Sequence, residues 1–170
     1  TDGESHRMDI YPLFNSVAED GTVTTKTEYN EIRLLLEVMD ENGNVVDEVG
    51  SYMAYRIFKA EGNQIKFNLS PIYMRMTLEQ GYWRDGGLTA PNEEAIIRQI
   101  ELIQELGFNG IRMHQKIEDE RFYYFCDVMG VMVWCELPSP YEFRDTMITN
   151  VTNEWLEIVN QNYSHPSLVT

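Results

Sequence analysis

Gly107-Phe108-Asn109-Gly110-Ile111-Arg112-Met113-His114-Gln115-Lys116, with Val131-Met132-Val133-Trp134-Cys135-Glu136 after it, decides the fold. Each stretch is a short apolar strand that ends in hydrogen-bonding or charged side chains. A helix-length segment separates them. Glu118 to Met129 reads as that helix, rich in Phe122, Tyr123, Tyr124 and Phe125 and stopped by Gly130. Val131 to Cys135 is a nearly unbroken apolar run, which suits a parallel strand buried on both faces.

Working outward, the same alternation continues. Asn92 can cap a helix whose first residues, Glu93 and Glu94, face its positive end. Ile96, Ile100 and Ile103 fall on one helical face, flanked by Ile97 and Leu106, and Gly107 stops the helix. Ile72 to Met76 is the candidate strand before it. Thr152 to Tyr163 reads as a third helix with Trp155, Leu156 and Val159 on its apolar side; His165-Pro166 breaks it, and Leu168-Val169 opens a fourth strand. Strands alternating with helices mean right-handed βαβ units and a parallel sheet. Less than half of a (β/α)8 barrel and part of an open doubly wound sheet share this local pattern. No G-x-G-x-x-G follows the first strand, so a dinucleotide site has no support.

Before Phe67 the rhythm is that of antiparallel strands. Ile32 to Val38 is an apolar run of strand length. Asp40-Glu41-Asn42-Gly43-Asn44 carries the Asn-Gly hairpin signal, Val45 to Val49 returns, Ser51 to Ile57 alternates, and Glu61-Gly62-Asn63 turns again. These strands resemble the end of a β-sandwich. Too few to close one, they place the partner sheet ahead of Thr1. Residues 1–30, Met8 to Ala18 among them, show no clear period. The expected domains are therefore 1–66, the end of a sandwich, and 67–170, the start of an α/β domain.

Hydrophobic residues make up 43% of the 170, enough for a packed core. With 28 acidic against 13 basic residues the formal net charge is −15, which repels a phosphate backbone and argues against nucleic-acid binding. No apolar run approaches the roughly 20 residues that span a bilayer. Cys126 and Cys135 lack the C-x-x-C spacing and read as buried free thiols. Thr1 and the residues after it form no signal peptide, but the chain reads as cut at both ends, so its compartment stays open.

Were the sheet a barrel, its active site would lie at the carboxyl ends of the strands. Polar groups gather there: Glu79 and Gln80; then Arg112, His114, Gln115 and Lys116; then Glu136. A sugar needs such groups, because its hydroxyls must be paired once water is excluded. Plainer readings stand beside this one. Arg112 could simply pair with Glu136, His114 could be a satisfied half-buried histidine, and Glu118 and Asp119 could serve only the helix start. Tyr82 and Trp83 could stack on a sugar or pack under a loop. His114, Glu118 and Glu136 match no compact zinc spacing.

Gln80-Gly81-Tyr82-Trp83, Thr89-Ala90-Pro91, Glu105 through Lys116, Tyr123-Tyr124 with Cys126-Asp127 and Gly130, Val133 through Pro138, and His165-Pro166-Ser167 together resemble the barrel of family 2 glycoside hydrolases. This is the family of β-galactosidases and β-glucuronidases. The likeness extends more weakly to Asp47 through Tyr52, similar to the end of the immunoglobulin-like domain that precedes that barrel. It departs at Leu69-Ser70-Pro71, which lacks the usual Asn-Gly, at Met76, where Gly is common, and at Ser164, where Asn is common.

The resemblance implies an α/β fold: the first three βα units of a (β/α)8 TIM barrel, preceded by the last strands of an immunoglobulin-like β-sandwich. It implies a retaining β-glycosidase acting on terminal β-linked sugars, most similar to a β-galactosidase, with two carboxyl groups about 5 Å apart. Both catalytic Glu residues are expected beyond Thr170, so the chain by itself is expected to be inactive. Within it, Arg112 and His114 match positions lining the sugar subsite, and Gln80 and Glu136 match strand ends close by. No metal or other cofactor is implied. The expected partner is a carbohydrate, with neither nucleic acid nor membrane, and a homo-oligomer remains open. The rival readings are a non-catalytic carbohydrate-binding or structural module, and another TIM-barrel hydrolase.

Overall fold

The computed structural model describes residues 30–170, so the expectations for 1–29, Met8 to Ala18 included, fall outside the described residues. The chain divides into two compact units, Thr1–Arg56 and Ile57–Thr170.

In the first unit, β1 (Asn30–Met39) pairs antiparallel with β2 (Val45–Tyr55). The turn between them is built as the sequence demands. Gly43 takes φ +83°, and Asp40 Oδ1 accepts the N–H groups of Asn42 and Asn44 at 2.9 Å each. Val45 to Val49 and Ser51 onward form one strand running through Gly50. Leu36 and Val49 oppose each other across the ladder, and both stay largely exposed. Among the described residues no second layer covers this hairpin.

The second unit opens with an antiparallel sheet of β3 (Phe58–Glu61), β4 (Gln64–Phe67) and β5 (Ser70–Ile72). Phe67 pairs with Ser70, so Asn68 and Leu69 form a two-residue loop, at φ +47° and +71°. Two positive φ values match the right-handed twist of a hairpin. Asn68 tolerates this and is anchored: its side chain accepts from Ile57 N at 2.9 Å and its own N–H donates to Ile57 O at 2.8 Å. Leu69 has no such compensation.

A parallel sheet follows, in the order β6 (Met76–Glu79), β7 (Gly110–Met113), β8 (Met132–Cys135), with α1 (Glu93–Glu105) and α2 (Glu120–Met129) as crossovers and α3 (Asp145–Asn162) after β8. The first strand is not at Ile72–Met76 as its composition suggests. The Asn109 side chain holds that stretch, accepting from Arg75 N at 2.8 Å and donating to Tyr73 O at 2.9 Å, and β6 begins only at Met76. In α1 the Asn92 side chain caps Ala95 N, and Ile96, Ile100 and Ile103 are buried. Helix α2 is capped by Asp119 and ended by Gly130 at φ +72°. Helix α3 begins at Asp145 rather than Thr152, and Arg144 gives it no side-chain cap.

One core joins these elements: the α1 isoleucines, Ile111, Met113, Phe122, Tyr123, Cys126, Val131 and Val133. Cys126 and Cys135 are free and buried. Beyond α3 the chain returns to the sheet. Val133 N donates to Ser167 O at 2.8 Å, Val169 N to Val133 O at 3.0 Å and Cys135 N to Thr170 O at 2.9 Å, a parallel register beside β8. Asp127 of α2 sets this register, for its buried carboxylate meets His165 Nδ1 at 2.6 Å and accepts from Ser167 N at 2.8 Å.

Candidate functional site

Parallel pairing places Leu78, Arg112 and Trp134 side by side, one from each strand. Side chains alternate along a strand, so these three share a face, and the residues two positions on, Gln80, His114 and Glu136, continue it just past the strand ends. The opposite face carries Ile111, Met113 and Val133, fully buried in the core. The expectation that the third strand is buried on both faces is corrected on this side. Trp134 is 40% exposed and Leu78 51%, because no described element lies across them.

The four residues singled out from the sequence form two linked pairs. The Arg112 guanidinium is hydrogen-bonded through Nε to Glu136 Oε1 and lies 5.2 Å from the centre of the Trp134 ring. Glu136 also accepts from Gln115 N at 3.4 Å. Beside them, the Gln80 amide nitrogen stands 3.1 Å from His114 Nδ1. With that amide donating, the imidazole proton sits on Nε2 and is available to a ligand oxygen. His114 N also donates to Glu79 O at 2.7 Å, tying the strand ends together.

Glu79 itself turns to the other face, towards Gln99 of α1. Burial raises its carboxyl above the ordinary range, the Gln99 hydrogen bond opposes the rise, and nearby Glu118 adds to it.

Gln80 and His114 line a cavity of about 840 Å³, whose walls come from the three loops that follow β6, β7 and β8. Glu136 lines a separate cavity of about 520 Å³ with Trp155 and Leu156. Lys116, which the sequence places among the strand-end polar groups without a role, organises the larger one. Lys116 Nζ donates to Gly81 O at 2.9 Å, to Leu88 O at 2.6 Å and to Glu118 Oε1 at 2.7 Å, closing the ends of the 81–88 loop. Its position at a strand end is legible in the sequence, but its partners 35 and 28 residues away are not. Among the described residues there is no cluster of three His, Cys, Asp or Glu side chains placed to hold a metal. No helix among them is long and apolar enough to cross a membrane.

No protein-family model matches the chain. It is 30% identical over 146 residues to a putative beta-glucuronidase of Formosa agariphila, which covers 84% of this chain and 18% of that protein. A beta-galactosidase of Lactococcus lactis is 30% identical over 180 residues, 98% of this chain and 17% of the relative. The chain therefore spans less than a fifth of the length of these curated relatives. Among solved structures, a glycosyl hydrolase family 2 member from Bacteroides cellulosilyticus superposes with a TM-score of 0.61 at 19% identity, over 81% of this chain and 19% of that one.

Proposed function

The chain is glycoside hydrolase family 2-like, and from that premise we propose that it builds one wall of the sugar site in a retaining β-glycosidase. In this reading β6, β7 and β8 are the first three strands of a (β/α)8 barrel, and β1 and β2 belong to the immunoglobulin-like sandwich ahead of it. The open face bearing Leu78, Arg112 and Trp134 is then the barrel interior, covered by the remaining strands.

One observation carries the proposal. Gln80, His114 and Glu136 follow the carboxyl ends of three neighbouring parallel strands on one face, with Arg112 immediately behind. That is where barrel enzymes bind substrate. These groups hold and orient the terminal sugar: His114 Nε2 donates to a hydroxyl, and the Arg112–Glu136 pair fixes the charge pattern beneath it. The attack on the anomeric carbon and the proton transfer to the leaving oxygen fall to two carboxyl groups about 5 Å apart.

The test uses the complete enzyme that carries this chain, with nitrophenyl β-galactoside first and nitrophenyl β-glucuronide second. The expected outcome is turnover of one of them, with the anomeric configuration of the first-formed sugar retained by proton NMR. Hydrolysis of neither, or inversion, sinks the reading.

A further inference from the structure

We infer that Lys116 is a positioning residue for the terminal sugar: it holds the loop that begins at Gly81, and so keeps Gln80 against His114 in the geometry that presents the imidazole N–H to the ligand. The inference rests on the glycosidase reading above and adds a residue to the site it describes.

Lys116 has no proton left for a substrate. An ammonium carries three, and Nζ donates to Gly81 O at 2.9 Å, to Leu88 O at 2.6 Å and to Glu118 Oε1 at 2.7 Å. Its side chain is 15% exposed and that of Glu118 8%, so the pair is largely out of water. An ion pair so placed stabilises the fold little by itself, because desolvation offsets the attraction. What it adds is geometry, for one nitrogen fixes both ends of a loop.

The chain is bent to bring it there. His114 and Lys116 would share a face of an extended strand. Gln115 between them takes φ +53°, a left-handed conformation that a side chain disfavours. Such strain persists where the surroundings impose it, and it gathers at ligand sites. Here it turns the Gln115 N–H towards Glu136 and Lys116 towards the loop after β6. Gly81 completes the contact from the other side. It is buried at φ +64°, and a Cβ there would lie 2.1 Å from Glu118 Oε1 and 2.4 Å from Lys116 Nζ. Beyond it, Trp83 N donates to Gly87 O at 2.7 Å, Gly87 N to Trp83 O at 3.0 Å, and Trp83 packs on the core.

Gln80 immediately precedes Gly81. Holding the Gly81 carbonyl holds the Gln80 backbone, whose amide nitrogen stands 3.1 Å from His114 Nδ1. Without the ammonium, two carbonyls and the Glu118 carboxylate face one another with no donor between them. They part, Gln80 moves with Gly81, and the His114 proton is no longer confined to Nε2. The sugar hydroxyl loses its donor while the two reacting carboxyl groups keep their places. The loss therefore falls on binding, raising KM and sparing kcat.

The experiment uses the complete enzyme and its Lys116→Met variant on the nitrophenyl β-glycoside that the wild type hydrolyses. KM is expected to rise about tenfold and kcat to stay within about twofold. A lysine that only stabilised the fold would lower the active fraction, and with it kcat, at an unchanged KM; that result overturns the proposal. A cycle with Gln80→Ala tests the route: in that background Lys116→Met is expected to raise KM less than about twofold further, and the full rise there overturns it. Limited trypsin digestion reads the loop without activity. Arg84 is exposed in the loop, and cleavage after it is expected to be at least about threefold faster in the variant, whereas an equal rate overturns the anchor. If the methionine variant does not fold, Lys116→Arg keeps the charge beside Glu118 and takes its place. Its flat guanidinium does not group three donors about one nitrogen, so KM is expected to rise about threefold, and an unchanged KM overturns the proposal. A wild type that hydrolyses no β-glycoside removes the glycosidase reading alone, and the trypsin comparison then decides the anchor.

Discussion

The Arg112 guanidinium lies over the Trp134 ring, 5.2 Å from its centre, and hydrogen-bonds Glu136 through Nε. One side chain thus joins neighbouring strands by its flat face and by its edge. Lysine offers neither the plane nor the fork. In the complete enzyme, Arg112→Lys is expected to lower kcat/KM on its nitrophenyl glycoside about 10- to 100-fold, or about 1.4 to 2.7 kcal/mol of transition-state binding. An unchanged kcat/KM in the lysine variant would reduce Arg112 to scaffolding of the sheet.

Asp127 supplies two hydrogen bonds from a nearly inaccessible side chain. Asp127→Asn keeps an acceptor for Ser167 N but loses the charge that faces His165. The loss of a charge-assisted bond in a buried place costs about 2 kcal/mol. Urea unfolding of the complete protein should show the transition of the unit holding this parallel sheet at a lower midpoint with an unchanged slope, and an unmoved midpoint would dismiss the latch.

Leu69 is exposed and sits at φ +71°. Glycine there removes the left-handed strain and forms the Asn-Gly pair that such loops favour. Leu69→Gly is expected to stabilise by up to about 1 kcal/mol, the relief of strain less the extra freedom of the unfolded chain. A lower melting temperature in the glycine variant would contradict this.

Glu79 titrates in the direction opposite to a salt-bridged acid. Burial raises its folded carboxyl above the unfolded value, so the folded state binds the proton more tightly. Its contribution to stability is fully present below the unfolded pKa and is lost as pH rises through the folded one. Glu79→Gln should therefore melt higher than the wild type at neutral pH, and the gap should close as pH falls below the carboxyl range. A gap that widens on acidification would mean that the charge is stabilised where it stands.

Much of the parallel sheet was legible because its signals are local. Asn92, the isoleucine spacing and Gly107 each act within a turn or two of α1, and the helix formed where they said. The polar residues at the strands' carboxyl ends, Arg112, His114 and Glu136, were visible one strand at a time; that they share a face follows from the parallel register. Position-independent composition did less well. Ile72 to Met76 reads as a strand, but a side chain 34 residues on, Asn109, claims its backbone. The early start of α3 carries no capping signature, for Arg144 makes no side-chain cap, and of Met147, Ile148 and Val151 in its first turns none is fully buried. The larger cavity depends on Lys116 reaching back to Gly81 and Leu88, a meeting of distant residues that no window of sequence contains.

Because Asp127 fixes the stretch from His165 to Thr170 on β8, that register owes nothing to the length of chain between Glu136 and Asn162. Residues can be gained or lost in the intervening loop and the first turns of α3 without shifting the neighbouring strand by a single pairing. Relatives should accordingly differ most in length there, where an insertion reshapes the rim around Tyr141 and leaves the sheet untouched.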